Sequence, residues 1–205
     1  MTKMKLGFLA SHRGSNMQSI IDACNAGKID AIPAVVISNN GDSGALDRAT
    51  TEQIPAYHLS SKQYPDPEDL DRSIRDALLK HGVDIVVLAG YMKKIGKQTI
   101  KSFEGRILNI HPALLPKYGG QGMYGNNVHN AVLESGDKET GVTIHVVTDN
   151  YDQGPILAQQ TVPVMEGDTV ESLARRVLVV EHQLYVDTIH RIVEGDIKLT
   201  DLPGR

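Results

Sequence analysis

Short apolar runs alternate with amphipathic stretches through the first half of the chain, and this order of elements predicts βαβ units. Strand-like runs rich in β-branched and aliphatic residues occupy 5–10, 32–38, 56–59 and 84–90, and helix-like stretches occupy 16–27, 45–53 and 67–82. Strands and helices that alternate in this way form a parallel sheet. Because the run IVVL at 85–88 is apolar at every position, we expect a central strand covered by helices on both faces.

The second half of the chain predicts three further strands and a long helix. The strand-like runs lie at 106–110, 141–147 and 155–164, and the helix at 169–194. We expect Asp168 and Glu171, three positions apart, to cap the start of this helix. A glycine-rich, irregular segment from Lys117 to Asn127 interrupts the pattern. No linker or repeat divides residues 1–205, so we predict one α/β domain with a mostly parallel, twisted sheet.

Three polar segments follow predicted strands directly, and we expect them to form one cleft. They are SHRGSN after the first strand, GYMKK after DIVVLAG, and HPALLP after RILNI. Open parallel sheets bind their ligands outside the carboxyl ends of the strands, where such segments meet. The sequence therefore predicts a site at the strand ends rather than a flat surface patch.

The turn SHRGSNMQ at 11–18 is the first candidate site. Gly14 permits close approach of a ligand to the backbone, and Ser15 with Gln18 matches a capping box at the start of a helix. The free N–H groups of a helix N-terminus attract anions, and Ser15 and Asn16 add donors suited to a phosphate. An ordinary capped turn explains the same residues, so both interpretations stay open at this stage.

Asn109 and His111 are the second candidate site. They are two positions apart on a predicted strand, so their side chains point to the same face. Pro112 ends the strand and biases His111 toward an extended backbone. An amide and an imidazole presented together suit a developing oxyanion at a carbonyl carbon. A polar strand end with no chemical role is the alternative interpretation.

Three acidic residues are further candidates, two of them as partners of His111. Asp149 and Asp152 lie in the turn TDNYDQGPI, and a carboxylate close to His111 would raise the pKa of the imidazole and orient the ring. Spacing alone favours a simple turn role for each acid. Glu181 interrupts the apolar run VLVVEHQLYV and needs a partner, which could be a substrate amine or hydroxyl, or Arg175 or Arg176.

Composition and charge narrow the class of partner. The 205 residues, 40% of them hydrophobic, suffice for one sizeable core, and a net charge of -4 with scattered basic residues argues against nucleic acid. The single Cys24 and the absence of an H-E-x-x-H motif predict no disulfide and no metal site. The N-terminal residues contain no signal-like or membrane-spanning segment, so we expect a cytoplasmic protein with small-molecule substrates.

Taken together, these segments resemble the glycinamide ribonucleotide formyltransferases, enzymes of purine biosynthesis that use 10-formyltetrahydrofolate. The matching segments are LASHRGSNMQSIIDAC, DIVVLAGYMKKI, RILNIHPALLPKY, GVTIHVVTDNYDQGPILAQ and the Glu-His pair of the last helix. The resemblance implies a Rossmann-like formyltransferase fold that needs no metal. It also implies formyl transfer from the folate co-substrate to the amine of glycinamide ribonucleotide.

The resemblance assigns roles to eleven residues. The catalytic group is Asn109, His111 and Asp152. The ribonucleotide group is Gly14, Ser15 and Asn16 for the phosphate, with Glu181 for the glycinamide. The folate group is Tyr91, Met92, Lys93 and Ile95. Residues of about 1–105 would then form the phosphate-binding half, and about 106–205 the catalytic and folate-binding half.

Two departures from the family pattern and three alternative functions remain. The segment GGQGMYGNNVHNAV replaces a shorter turn, with His129 in place of the family's later histidine, and Pro67 stands where many members have an arginine. Tyr118, Met123 and Tyr124 could belong to a lid or to a homodimer surface. The alternatives are a formyltetrahydrofolate hydrolase, another folate-dependent formyltransferase, or a non-catalytic nucleotide- or folate-binding module.

Overall fold

A computed structural model describes residues 3–202, so the first two and last three residues of the predicted domain lie outside the described range. The strands are β1 (Met4–Ala10), β2 (Ala31–Ser38), β3 (Ala56–His58), β4 (Ile85–Leu88), β5 (Ile107–His111), β6 (Glu139–Val146) and β7 (Ile156–Pro163). The helices are α1 (Ser15–Asn25), α2 (Gly44–Thr51), α3 (Pro67–Lys80), α4 (Lys97–Ser102), α5 (Asn126–Ser135) and α6 (Val170–Val193).

The strands form one seven-stranded sheet in the order β3-β2-β1-β4-β5-β6-β7. The first five are parallel, and β6 and β7 add an antiparallel edge. The chain moves outward from β1 to β3, then returns to the other side of β1 with β4. This reversal opens a crevice at the carboxyl ends of β1 and β4, which is where such sheets bind ligands. The predicted α/β fold with a mostly parallel sheet is confirmed.

Alternation along the strands fills two cores, one on each face of the sheet. In β1, Leu6 and Phe8 join the core beneath α1 and α6, whereas Leu9 joins the core beneath α3. Gly7 also faces α3, where an added Cβ would lie only 2.7 Å from the Leu78 side chain. A side chain at this position would therefore push α3 away from the sheet.

Both predicted helix caps are wrong in detail. Gly14 rather than Ser15 is the N-cap of α1, and no side chain caps this helix within the described residues. The Gln18 side chain instead donates to Asp22 and Glu52. The positive φ of 67° at Gly14 turns the chain so sharply that the predicted Ser15–Gln18 box cannot form.

Helix α6 begins one residue later than predicted. Thr169 is its N-cap and forms a capping box with Ser172. Asp168 accepts hydrogen bonds from the Met165 N–H and the Ser172 hydroxyl, and it makes a two-point ion pair with Arg176. The Arg176 and Ser172 contacts hold the pKa of Asp168 well below its ordinary value. The acid is thus a partner for Arg176 rather than a cap.

Tyr185 of α6 fastens this helix to the strand ends beside the crevice. Its ring is fully buried, and its hydroxyl lies 3.0 Å from the Leu108 carbonyl and 3.2 Å from the Leu88 carbonyl. These carbonyls belong to β5 and β4, one residue before Asn109 and Ala89 respectively. The contact therefore fixes the position of α6 relative to both strands of the predicted site.

We expect Tyr185→Phe to lower the free energy of unfolding by about 1–2 kcal/mol, because a buried carbonyl loses its donor while the ring still packs. Urea unfolding measures this loss. Tyr57→Phe is the matched control, since the Tyr57 hydroxyl bonds the His81 ring in a partly exposed position. A cost for Tyr185→Phe no greater than that of the control would contradict the anchoring role.

Candidate active site

The predicted catalytic and substrate residues line a common crevice at the carboxyl ends of the parallel strands. One cavity of about 580 Å³ is lined by Asn16, Tyr91, Met92, Lys93, Asn109, His111, Asp152 and Glu181. A neighbouring cleft of about 1200 Å³ contains Gly14 and Ser15 and shares Asn16, Met92 and Lys93 with the first. Ile95 lies in a narrow adjoining slot with Asn109 and Asp152. The structure therefore brings all eleven residues to one region.

Asn109 owes its orientation to a histidine on the next strand. The antiparallel register of β5 and β6 places Asn109 opposite His145, and the two side chains lie 3.1 Å apart. The Nδ1 atom of His145 is 3.1 Å from the Val146 carbonyl, which can only accept. Nε2 of His145 faces both the Asn109 amide and the Asp152 carboxylate, and the amide N–H that does not point to His145 remains for a ligand in the cavity.

His111 is almost completely buried, with 3% of its surface exposed. Its Nε2 atom donates to the Tyr118 carbonyl at 2.7 Å, so the neutral ring carries its lone pair on Nδ1. Burial lowers the pKa of His111, and His145 lowers it further, although Asp152 and the Tyr118 carbonyl oppose the change. The predicted raising effect of a nearby carboxylate on the pKa is present, but burial outweighs it.

Asp152 is the acid that approaches His111. Its Oδ2 atom lies 3.8 Å from His111 Nδ1 and accepts the Gly120 N–H at 2.9 Å, and its Oδ1 atom lies 3.4 Å from His145 Nε2. Burial opposes its ionisation, but His145, Gly120 and the His111 ring together lower the pKa of Asp152. Asp149 is exposed and lines only the adjoining clefts, so the two acids of this turn differ in position.

Glu181 is paired with an amide side chain rather than with a predicted arginine. Its carboxylate is 9% exposed and accepts a hydrogen bond of 2.6 Å from the Asn16 amide of α1. Arg176, one of the two predicted partners, binds Asp168 instead. Burial raises the pKa of Glu181, and the Asn16 hydrogen bond opposes the rise. Glu181 therefore joins α6 to the GSN turn at the cavity wall.

The GSN turn presents the start of α1 to the larger cleft. Gly14 has a left-handed backbone, and an added Cβ would lie 2.9 Å from Ala45 Cβ, so only glycine fits. Because no described side chain caps α1, its first N–H groups stay available for an anion. The predicted side-chain cap is thus wrong, and the phosphate site stays a prediction.

The segment Tyr91–Ile95 forms the opposite wall of the cavity. The Met92 N–H donates to Ser11 Oγ at 2.7 Å, and Ile95 packs into the core with 5% of its surface exposed. Burial, with a contribution from Asp71, raises the pKa of Tyr91 to about 12. Lys94 lies over the Tyr151 ring, 5.4 Å from its centroid, and so links this wall to the turn that carries Asp152.

The glycine-rich segment between Lys117 and Asn127 covers one side of the cavity. Its Gly120 N–H binds Asp152, and Tyr118 supplies the carbonyl for His111. His129, at the second turn of α5, is 5% exposed and lines the same cavity. Burial lowers the pKa of His129, and the nearby His111 adds to this effect. No motif predicted this proximity. The only indication was that His129 stands in the sequence in place of the family's later histidine.

Residues 3–202 contain neither a metal-ligand cluster nor a membrane-spanning helix. Nowhere in this range do three or more His, Cys, Asp or Glu side chains form a group able to hold a metal ion. Likewise, the range contains no helix with the length and apolar character needed to cross a bilayer.

Comparison with known proteins identifies similar sequences and structures. The formyl transferase family matches residues 4–189. The chain is 44% identical over 197 residues to the chloroplastic phosphoribosylglycinamide formyltransferase of Arabidopsis thaliana, covering 96% of this chain and 68% of that one. It is 41% identical to the phosphoribosylglycinamide formyltransferase of Haemophilus influenzae, covering 96% and 91%. Glycinamide ribonucleotide transformylase 1 of Symbiobacterium toebii superposes with a TM-score of 0.89 at 41% identity, covering 94% and 89%.

We expect an NMR titration to place the pKa of His111 below its ordinary value of 6.5. Asp152→Asn should lower this pKa further, because the carboxylate is what favours the charged ring. Asp149→Asn is the matched control and should leave it unchanged, since Asp149 is exposed and does not contact His111. The pKa of His111 is lower in the folded state than in the unfolded state. The neutral ring therefore contributes stability above pH 6.5, and this contribution is lost as the pH falls.

A pKa for His111 at or above 6.5 in the unmodified protein would contradict the dominance of burial. An equal shift in the Asp152→Asn and Asp149→Asn variants would contradict the specific pairing with Asp152.

Proposed function

The chain belongs to the formyl transferase family, and we propose that it transfers the formyl group of 10-formyltetrahydrofolate to the amine of glycinamide ribonucleotide. The products are formylglycinamide ribonucleotide and tetrahydrofolate, in the de novo synthesis of purines. One observation carries the proposal: Asn109, His111 and Asp152 converge in a cavity that also reaches the uncapped start of α1. A site for the attacking amine, a site for the phosphate anion and the pair that activates the carbonyl would then share one crevice.

Formyl transfer is addition of an amine to a carbonyl carbon followed by loss of the folate nitrogen. The uncharged amine attacks the formyl carbon, and negative charge develops on the formyl oxygen. The free N–H of Asn109 donates to this oxygen, and its orientation is preset by His145. Because the side chain is already held in place, little reorganisation is needed as the charge forms.

The neutral His111 ring can act as the general base of the reaction. Its Nδ1 lone pair accepts the proton that the attacking nitrogen releases, and the imidazolium formed is stabilised by Asp152, 3.8 Å away. The imidazolium N–H helps Asn109 to stabilise the oxyanion, and the proton then passes to the departing folate nitrogen. The histidine is thus neutral at the start and end of the cycle, in keeping with its lowered pKa. No covalent intermediate with the protein is required.

Both substrates have suitable surroundings in the crevice. The ribonucleotide phosphate binds Gly14, Ser15 and Asn16 at the start of α1, and Glu181 binds the glycinamide end. Folate lies along Tyr91, Met92, Lys93 and Ile95, opposite the turn ending at Asp152. In this proposal residues 1–105 supply the phosphate site, whereas 106–205 supply the catalytic group and much of the folate site. A homodimer and a cytoplasmic location stay predictions.

A single assay separates this function from its alternatives. The protein is mixed with 10-formyltetrahydrofolate, and absorbance is followed with and without glycinamide ribonucleotide. Consumption of the donor only with the ribonucleotide is expected. Consumption without it would indicate a formyltetrahydrofolate hydrolase, and no consumption in either case would indicate a binding module or a formyltransferase with a different acceptor.

We expect Asn109→Ala and His111→Ala each to slow formyl transfer by about 100-fold or more, because each removes a group that acts on the developing charge. Circular dichroism should show that the fold persists. Asn130→Ala, at an exposed position of α5, is the control and should keep full activity. Near-normal turnover in either cavity variant would exclude its catalytic role.

For Glu181→Gln we expect the KM for glycinamide ribonucleotide to rise about 10-fold or more, since a hydrogen bond to a charged group is lost. The KM for the formyl donor should change little. Glu171→Gln, at an exposed position of the same helix, is the matched control. Equal changes in both Michaelis constants would refute a contact specific to the ribonucleotide.

A further inference from the structure

The wall of the proposed folate site lacks regular structure, so other groups must hold it in place. It runs from Ala89, after β4, to Gly96, just before α4. At its beginning, the Met92 N–H donates to Ser11 Oγ at 2.7 Å. Ser11 is itself held, because its hydroxyl donates to Asn39 Oδ1 at 2.5 Å. These two hydrogen bonds hold the beginning of the wall, whereas its other end needs a separate contact.

Asp71 of α3 provides the second anchor. Its Oδ2 atom accepts the Gln98 N–H at 2.7 Å, and its Oδ1 atom accepts the Thr99 N–H at 3.1 Å and the Thr99 hydroxyl at 2.5 Å. Asp71 is 7% exposed, and Thr99 is fully buried. A carboxylate with three donors in a buried position holds the start of α4 more firmly than a solvated cap would.

Gly96 lets the wall approach this carboxylate closely. An added Cβ at Gly96 would collide with the Asp71 carboxyl group, so the backbone there passes directly over it. Asp71 lines a cavity of about 550 Å³ together with Pro67 and Leu70 of the same helix and with Gly96. Tyr91, Lys93 and Ile95 line that cavity from the wall. Asp71 therefore joins the two sides of one cleft.

We propose that Asp71 is a positioning residue that sets the distance between α3 and the Tyr91–Ile95 wall, and thereby the affinity for the formyl donor. The inference rests on the proposed function, because it takes this wall to bind folate. Asp71 acts through the backbone of Gly96, Gln98 and Thr99. Its contribution should thus appear in donor binding rather than in the chemical step.

The test compares Asp71→Ala and Asp71→Asn with the unmodified protein by steady-state kinetics. We expect Asp71→Ala to raise the KM for 10-formyltetrahydrofolate about 10-fold or more, since small displacements of a binding wall weaken binding strongly. Both kcat and the KM for the ribonucleotide should change by less than about threefold. Asp71→Asn keeps the shape and one acceptor oxygen, so its effect should be intermediate and restore part of the affinity.

Thr169→Ala is the matched control for the loss of a helix cap. Thr169 caps α6 through the Ser172 N–H, outside the proposed folate wall. We expect this variant to lose thermal stability but to keep the KM for the formyl donor. If Asp71→Ala behaves in the same way, its role is purely structural and the inference is overturned.

A binding measurement separates failure of this inference from failure of the proposed function. Calorimetric titration with tetrahydrofolate, the reaction product, needs no turnover and can be performed on each variant. Weaker binding by both Asp71 variants than by Thr169→Ala supports the positioning role, even in a protein that proves inactive toward glycinamide ribonucleotide. Equal affinity in all variants, or no binding by the unmodified protein, would overturn the role.

Discussion

The site depends on one carboxylate that lies between two imidazole rings. Asp152 approaches His111 of β5 and His145 of β6, and it also accepts a hydrogen bond from the Gly120 N–H. Two strands and the glycine-rich segment are thereby joined through a single side chain. His145 in turn orients Asn109. The geometry of Asn109, His111 and His145 thus follows from where Asp152 is placed, and its left-handed backbone, with φ of 54°, is part of that placement.

Burial and charge act in opposite directions across this group, and the balance suits proton transfer. Burial lowers the pKa of His111. The pKa of Asp152 is lowered too, but for the opposite reason, because its hydrogen bonds outweigh the effect of its burial. A neutral imidazole next to an ionised carboxylate can gain a proton without a large penalty, since the charge formed is already compensated. Had His111 been cationic from the outset, it could not accept the proton of the amine.

Sequence patterns predicted most of the fold and the residues that line the crevice, but they could not supply contacts between distant segments. Alternation was sufficient for β5, because Asn109 and His111 had to share a face whatever their neighbours were. The contact between His145 and Asn109 was not predicted, because it depends on the register of β5 against β6, which the sequence does not encode locally. The Ser15–Gln18 cap failed for a related reason, since it ignored the left-handed turn at Gly14. Helix α4 has only six residues, too few to show a periodic pattern.

The hydrogen bond between Asn16 and Glu181 joins residues 165 positions apart. During synthesis on the ribosome, Asn16 emerges long before Glu181, so under the proposed function the glycinamide pocket is incomplete until α6 has been made and docked. The sheet strands that precede α6 can pair earlier, because their partners are already present. Ligand recognition would then be among the last properties that a nascent chain acquires, and an incomplete chain would not sequester ribonucleotide from finished enzyme.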